Sequence, residues 1–121
     1  MMIKTSCGDI EAYITKDGST IRELMHPQVH GNSAQSIAEA TVPAGASTLL
    51  HRHDITEEIY HILSGSGLLT LDDEYIEVKE GDSICIHPGM SHNIRNTGTE
   101  ELRILCCCSP AYSHDDTEIL E

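Results

Sequence analysis

Three histidines and one glutamate stand at spacings that could assemble a metal site. His51 and His53 are two residues apart, Glu58 follows five residues later, and His92 comes just after a Pro-Gly turn. Residues two apart on a strand point to the same face, so His51 and His53 would face one side and Arg52 the other. Imidazole and carboxylate donors suit borderline ions, and we predict a site for one divalent transition metal per chain: Zn, Mn, Fe, Ni, Co or Cu.

A second segment, opening at Glu58, is predicted to form a strand beside the one that carries the first two histidines. Its alternation puts Glu58, Tyr60 and Ile62 on one face and His61 on the opposite face. Tyr60 has two interpretations, a core ring with a satisfied hydroxyl or a hydrogen-bond donor to a substrate. Glu58 and Tyr60 are the candidate catalytic residues, and the carboxylate could handle protons.

Short segments of strand-like composition must position these residues. They are rich in Ile, Val, Leu and Thr and are broken by turn-forming residues about every eight to twelve positions, the spacing of a sandwich or barrel. A helix of useful length is hard to find, and Ser33–Ala40, the best candidate, fits an edge strand equally well. The sequence therefore predicts one all-β domain. Its predicted strands are Ser36–Val42, Ser47–His53, Glu58–Leu63, Gly67–Leu71, Ile76–Val78, Ser83–Ile86, His92–Asn96 and Leu102–Cys108.

The charge balance excludes several kinds of partner. Twenty Asp and Glu against seven Lys and Arg give a formal net charge of −13, whereas nucleic-acid binding rests on a basic surface. An anionic membrane is disfavoured for the same reason, and no apolar run reaches the roughly 20 residues of a spanning helix. The first residues lack a signal-peptide pattern. We therefore expect a cytoplasmic protein with a small-molecule ligand or substrate.

The five cysteines are expected to be free thiols. Their odd number, without an export signal, is typical of a reducing compartment. If the run at positions 106–108 lies in a strand, Cys106 and Cys108 face one side and Cys107 the other. We interpret these three as small buried apolar residues in preference to a redox site.

The glycines and the candidate ligands together resemble the two signatures of the cupin superfamily. The first signature is matched by Gly45, His51, His53, Glu58 and Gly65. The second is matched by Gly81, Pro88, Gly89, His92 and Asn96. One departure is His87, which stands where the pattern usually has proline. His87 could be a proton shuttle near the metal or, as we favour, a surface residue that covers the turn.

The resemblance implies a double-stranded β-helix, a jelly-roll barrel of six or more strands. It also implies that His51, His53, Glu58 and His92 bind the metal inside the barrel. Residues 36–112 would form this barrel, and residues 1–35 would add irregular strands that could serve a dimer contact. Residues 113–121 would form an acidic tail, either solvated or paired as a terminal strand. A homodimer is the expected assembly.

Family precedent leaves several functions open. It includes isomerases and epimerases, dioxygenases, decarboxylases and lyases, and we favour a metal-dependent enzyme that acts on a small polar or chelating substrate. The alternative is a barrel that binds a small ligand or metal without turnover. A mannose-6-phosphate isomerase-like function is weaker, because a sugar phosphate needs a cationic clamp. The ligand-bearing strands place no Lys or Arg inward, since Arg52 and Arg95 are out of phase with the ligands.

Overall fold

Two antiparallel sheets carry almost all of the regular structure in the computed structural model, which describes residues 1–121. The strands are β1 (Tyr13–Ile14), β2 (Thr20–Met25), β3 (Ser36–Val42), β4 (His51–His53), β5 (Glu57–Ser64), β6 (Ser66–Leu71), β7 (Glu74–Lys79), β8 (Ser83–Ile86), β9 (His92–Asn96), β10 (Leu102–Ser109) and β11 (Thr117–Ile119). The large sheet has the order β1-β2-β3-β10-β5-β8, and the small sheet has the order β11-β4-β9-β6-β7. This arrangement is the predicted jelly-roll barrel.

Helical structure is confined to two short pieces. A single 3-10 turn spans Cys7–Asp9, and helix α1 spans Pro27–His30. The His26 side chain accepts a hydrogen bond from the Gln28 backbone N–H and so caps α1. Neither piece has the length or the apolar character needed to cross a membrane.

All eight predicted strands form, and one is shorter than predicted. The prediction of Ser47–His53 is wrong for its first half, since β4 covers only His51–His53 and Ser47 makes an isolated bridge. The backbone N–H of Leu49 donates to the Asp17 carbonyl, and that of Leu50 donates to the Glu121 carboxylate. These two N–H groups therefore bind the turn between β1 and β2 and the C-terminal residue, and they are not available to a neighbouring strand.

Strand β3 resolves the ambiguity of the segment at Ser33–Ala40 in favour of a strand. It is an interior strand, paired with β2 on one side and β10 on the other, and so the edge position is wrong. The cause is the N-terminal hairpin of β1 and β2, which covers the side of β3 that would otherwise be open. Sequence periodicity could not assign that hairpin to a position in the sheet.

The strand that opens near Glu58 does not lie beside the histidine strand. Strand β4 belongs to the small sheet, whereas β5 belongs to the large sheet, paired with β10 and β8. The chain crosses between sheets at residues 54–56, where the Asp116 carboxylate accepts from the backbone N–H groups of Ile55 and Thr56. Residues close in sequence thus face each other from the two walls of the barrel.

Both flanks of the barrel are attached to it. Strand β2 extends the large sheet, and β11 pairs with β4 so that Thr117 lies opposite His53. The C-terminal residues therefore include a terminal strand, one of the two alternatives. At the N-terminal flank, His26 is buried and donates from Nε2 to the Tyr112 carbonyl at 2.8 Å.

The core lies between the sheets and follows the alternation of the strands. Ile62 on β5, Leu69 on β6, Ile94 on β9 and Leu102 on β10 are all fully buried, and burying each such side chain contributes about 2 kcal/mol. Close approach of the strands explains one glycine. A Cβ on Gly67 would lie 2.9 Å from a backbone carbonyl oxygen of β9, so no larger residue fits there.

Candidate metal centre

Three imidazoles meet at the inner face of the small sheet. His51 and His53 lie on β4 and His92 begins β9, directly opposite His51 in the strand register. Their exposed fractions are 2%, 4% and 0%. One ring nitrogen of each lies within 4.8 Å of those of the other two, a spacing that one metal ion could bridge. The alternation of β4 places both of its histidines inward, as predicted.

A hydrogen bond at Nδ1 orients each of these rings. The three acceptors are the Leu49 carbonyl at 2.7 Å from His51, the Thr117 hydroxyl at 3.0 Å from His53 and the Met90 carbonyl at 3.1 Å from His92. Thr117 accepts because its own hydroxyl donates to the Ser113 carbonyl. With Nδ1–H committed in this way, the Nε2 lone pair of each ring is left for a ligand bond.

Glu58 approaches this cluster from the opposite wall. It is the second residue of β5 and is buried, with Oε1 at 3.3 Å from His53 Nε2 and 3.5 Å from His92 Nε2. Its other oxygen, Oε2, accepts a hydrogen bond from the Cys108 thiol at 3.4 Å. The thiol therefore turns Oε1 toward the histidines. The sequence predicted only a packing role for Cys108, because no local pattern indicates that β10 pairs with β5 at this register.

Two buried polar atoms at this point have no hydrogen-bond partner. They are Glu58 Oε1 and His92 Nε2, one from each wall. Buried polar groups are almost always satisfied, and an unsatisfied pair calls for an explanation such as an ion. A divalent cation would satisfy both atoms, and three imidazole nitrogens with one carboxylate oxygen suit a borderline transition metal. The residues present therefore fit a metal ion.

The electrostatics favour the forms of these side chains that bind metals. Burial by itself would raise the pKa of Glu58, but the adjacent imidazoles of His53 and His92 outweigh it and hold that pKa well below its usual range. Burial, followed by the charge of His92, lowers the pKa of His51. At neutral pH the site thus offers a carboxylate and a neutral His51 imidazole, the forms that metal binding requires.

Asp17 also reaches the site, although no pattern in the sequence pointed to it. This residue lies in the turn between β1 and β2, with Oδ2 at 3.6 Å from His51 Nε2. Its Oδ1 accepts from both the backbone N–H and the hydroxyl of Ser19, at 2.9 and 2.7 Å. Asp17-Gly18-Ser19 is recognisable in sequence as a turn. The position of this turn beside His51, however, depends on the pairing of β2 with β3.

A cavity leads from the imidazole cluster toward the N-terminal hairpin. Its wall combines apolar side chains of both sheets with the tyrosines Tyr13, Tyr60 and Tyr112. The acids Asp17, Glu23 and Glu58 also line it, whereas no Lys or Arg does. The strand phase predicts that Arg52 and Arg95 point away from the barrel interior, and neither lines this cavity. Tyr60 belongs both to the hydrophobic core and to this wall, with its ring centroid 6.0 Å from that of His92.

Comparison with known proteins assigns this arrangement to a family. The family model for the cupin domain matches residues 38–108, which is more than half of the chain. The chain belongs to the cupin family. An uncharacterized protein of Methanocaldococcus jannaschii is 58% identical over 120 residues, covering 99% of this cupin and 96% of that protein.

Two further relatives have names that refer to a ligand or a reaction. An oxalate-binding protein of Thermotoga maritima is 37% identical over 84 residues, covering 69% of this cupin and 65% of that protein. The structure of the polyketide cyclase RemF from Streptomyces resistomycificus superposes with a TM-score of 0.83 at 25% identity. That superposition covers all of this cupin and 87% of the cyclase.

Two other histidines and two arginines of this cupin point away from the imidazole cluster, as we predicted. His61 faces outward and its Nδ1 lies 2.7 Å from the Ser83 hydroxyl. Arg52 faces outward and donates to the Glu118 carboxylate, and Arg95 is exposed. His87 is exposed, with Nδ1 4.0 Å from the Cys85 thiol, which agrees with the surface interpretation.

The cysteine run of this cupin alternates as predicted. Cys106 and Cys108 are buried and line the cavity, Cys107 is half-buried on the outer face, and all five thiols of the chain are unpaired. Burial, and then the nearby charge of Glu58, raises the pKa of the Cys106 and Cys108 thiols well above its usual range. These thiols therefore stay protonated, which disfavours redox reactivity.

Proposed function

We propose that this cupin holds one divalent transition metal ion through His51, His53, Glu58 and His92 and is a metal-dependent enzyme that acts on a small polar or chelating substrate. The observation that carries the proposal is the pair of buried, unpartnered atoms, Glu58 Oε1 and His92 Nε2. Four protein ligands leave one or two coordination positions open, as catalytic sites do.

Within that proposal each side chain has a distinct part. A bound ion supplies Lewis-acid polarisation of a substrate oxygen. The imidazoles orient the ligand set through their Nδ1 hydrogen bonds, and Glu58 supplies negative charge and an oxygen that can hold a proton. Burial and the charge of Glu58 raise the pKa of Tyr60 well above its usual range, so the phenol keeps its proton and can donate it in a hydrogen bond to substrate.

The lining of the cavity supports a substrate without phosphate. A phosphate monoester is normally bound by Arg or Lys, and neither residue type lines this cavity. The apolar side chains and tyrosine rings of the wall fit a small molecule with a hydrocarbon part and a few hydroxyl or carbonyl groups. This favours isomerase, dioxygenase or lyase chemistry on such a compound over sugar-phosphate isomerisation.

The second candidate function is binding without turnover. It is favoured by the Thermotoga relative, which is named as a binding protein. Under this alternative the barrel would hold a metal and a small ligand and release the ligand unchanged. The same residues would serve both functions, so only a measurement of product separates them.

The test starts from protein purified without added metal. Elemental analysis is expected to find about one transition-metal ion per chain, and the ion found would then be restored to metal-depleted protein before a screen of small hydroxy and carbonyl compounds. Formation of a product that needs the metal supports the enzyme. Ligand binding without product supports the second candidate. Absence of metal, together with failure to bind Zn, Mn, Fe, Ni, Co or Cu on titration, would refute both.

Two further proposals concern assembly and location. We propose a homodimer because β1 ends the large sheet with an unpaired edge and a largely exposed Ile14. Light scattering should then give twice the chain mass of 13.3 kDa, and a mass of one chain would refute the dimer. A cytoplasmic location predicts that all five cysteines react with a thiol reagent after unfolding without reductant, whereas a stable disulfide would contradict it.

A further inference from the structure

We infer that Asp17 sets the charge preference of the cavity, so that this cupin takes neutral or cationic chelating ligands and disfavours small dianions such as oxalate. The inference rests on the proposed function, since it concerns ligands that reach the bound metal ion. The inferred preference also distinguishes this cupin from its Thermotoga relative, which is named as an oxalate-binding protein.

The first support is the placement of two carboxylates around the imidazole cluster. Glu58 approaches His53 and His92 from the large sheet, while Asp17 approaches His51 from the N-terminal hairpin. Two acids therefore stand next to the three nitrogens. Together their formal charge offsets the two positive charges of a divalent ion, which weakens the net attraction that the site exerts on a dianion.

The second support is that Asp17 is held in place. Its Oδ1 is fixed by two hydrogen bonds from Ser19, and its own carbonyl accepts from the Leu49 backbone N–H at 2.8 Å. Its side chain is only 12% exposed, so solvent screens its charge poorly. A mobile surface acid could turn away from an incoming anion, whereas this one is constrained to face the site.

The third support is the rest of the wall. Glu23 adds another acid whose Oε1 is buried without a partner, and no Lys or Arg lines the cavity to compensate. Hydrogen-bonding groups that suit hydroxyl and carbonyl oxygens are available, among them the hydroxyls of Thr15 and Tyr112, which lie 3.2 Å apart. A neutral hydroxy-carbonyl compound would meet hydrogen-bond partners there, and a dianion would meet like charges.

A series of three ligands with one shape and different charge tests the inference. Oxalate carries two negative charges, oxamate one and oxamide none, and each presents two oxygens to a metal. Their affinities would be measured by calorimetry on the zinc-loaded full chain, for the wild type and for the variants Asp17→Asn and Asp17→Ala. Asparagine keeps an acceptor for Ser19 and alanine does not, so agreement between the two variants ties the effect to charge. The control is Glu80→Gln, which removes one exposed charge in the turn after β7.

We expect both Asp17 variants to bind oxalate about tenfold more tightly and oxamate about threefold more tightly, with oxamide unchanged. The Glu80→Gln variant should match the wild type for all three ligands. Equal changes for the three ligands, or none, in zinc-loaded variants would overturn the role of Asp17 and leave the metal proposal standing. Failure of the wild type to hold zinc, measured by elemental analysis before any ligand is added, would refute the metal proposal and this inference with it.

Discussion

The two sheets of the barrel contribute different chemistry to one site. The small sheet presents three imidazoles, each anchored at Nδ1 by a backbone carbonyl or by the Thr117 hydroxyl. The large sheet presents one carboxylate, Glu58, steered by the Cys108 thiol on the neighbouring strand. One wall therefore presents fixed nitrogen donors, and the other supplies charge.

This division predicts that substitutions on the two walls have different consequences. Loss of an imidazole removes a ligand whose geometry is fixed by short local contacts within two residues or across one strand pair. Replacing the Glu58 carboxylate by an amide keeps the side-chain shape and one acceptor oxygen but removes the negative charge and the capacity to take up a proton. The following substitutions test this distinction, in order of decreasing expected effect.

The largest effect is expected on the small sheet. His53→Ala or His92→Ala removes a nitrogen ligand and should weaken metal binding by more than about 100-fold, since changes even to outer hydrogen-bond partners cost 10- to 100-fold. Metal that binds only the folded state stabilises it by about 2.7 kcal/mol at 100 times the dissociation constant. The Tm of metal-loaded protein should then fall by roughly 10 °C, as measured by calorimetry with and without metal.

The matched control is His61→Ala, which removes an imidazole that faces outward from β5. It should leave metal content unchanged. If His61→Ala lowered metal content and His53→Ala did not, the inward and outward faces assigned to the two sheets would be wrong.

On the large sheet, Glu58→Gln should weaken metal binding by clearly more than about 10-fold and still retain part of it, because the shape and one acceptor oxygen remain. Activity should fall further than metal occupancy, since an amide cannot take up a proton. Metal titration and turnover at saturating metal measure the two effects separately. Equal loss of both would indicate that Glu58 is a ligand only.

A smaller effect is expected from the residue behind Glu58. Cys108→Ala removes the thiol that holds Oε2, and metal affinity should fall by about tenfold because the carboxylate loses its orientation. The matched variant Cys107→Ala changes the outward neighbour on the same strand and should bind metal as the wild type does. Metal titration of the two variants checks the pair, and equal affinities would show that the thiol does not steer Glu58.

The smallest effect is expected at Arg52, between the two histidines of β4. Its guanidinium pairs with Glu118 on the outer surface, and both side chains are well exposed. Arg52→Ala should leave metal content unchanged and lower the free energy of unfolding by less than about 1 kcal/mol. Loss of metal in this variant, with retention in His53→Ala, would invert the strand phase on which the site is built.

The sequence alone determined the fold class and the inward face of β4 that carries two of the candidate metal ligands. Strand side chains alternate with period two, so the spacing of His51 and His53 is enough to place both on one face and Arg52 on the other. The same rule accounts for the alternating burial of Cys106, Cys107 and Cys108. Turn residues marked the ends of most strands, because their backbone preferences are local.

The tertiary structure decided which of these faces meet. Strand partners depend on contacts far apart in sequence, so periodicity could not show that β4 and β5 lie in opposite sheets with Glu58 across from the histidines. It could not place the Cys108 thiol against that carboxylate, nor bring Asp17 to His51 from the N-terminal hairpin. These last two contacts join residues more than 30 positions apart, and no local spacing rule describes a contact over that distance in the chain.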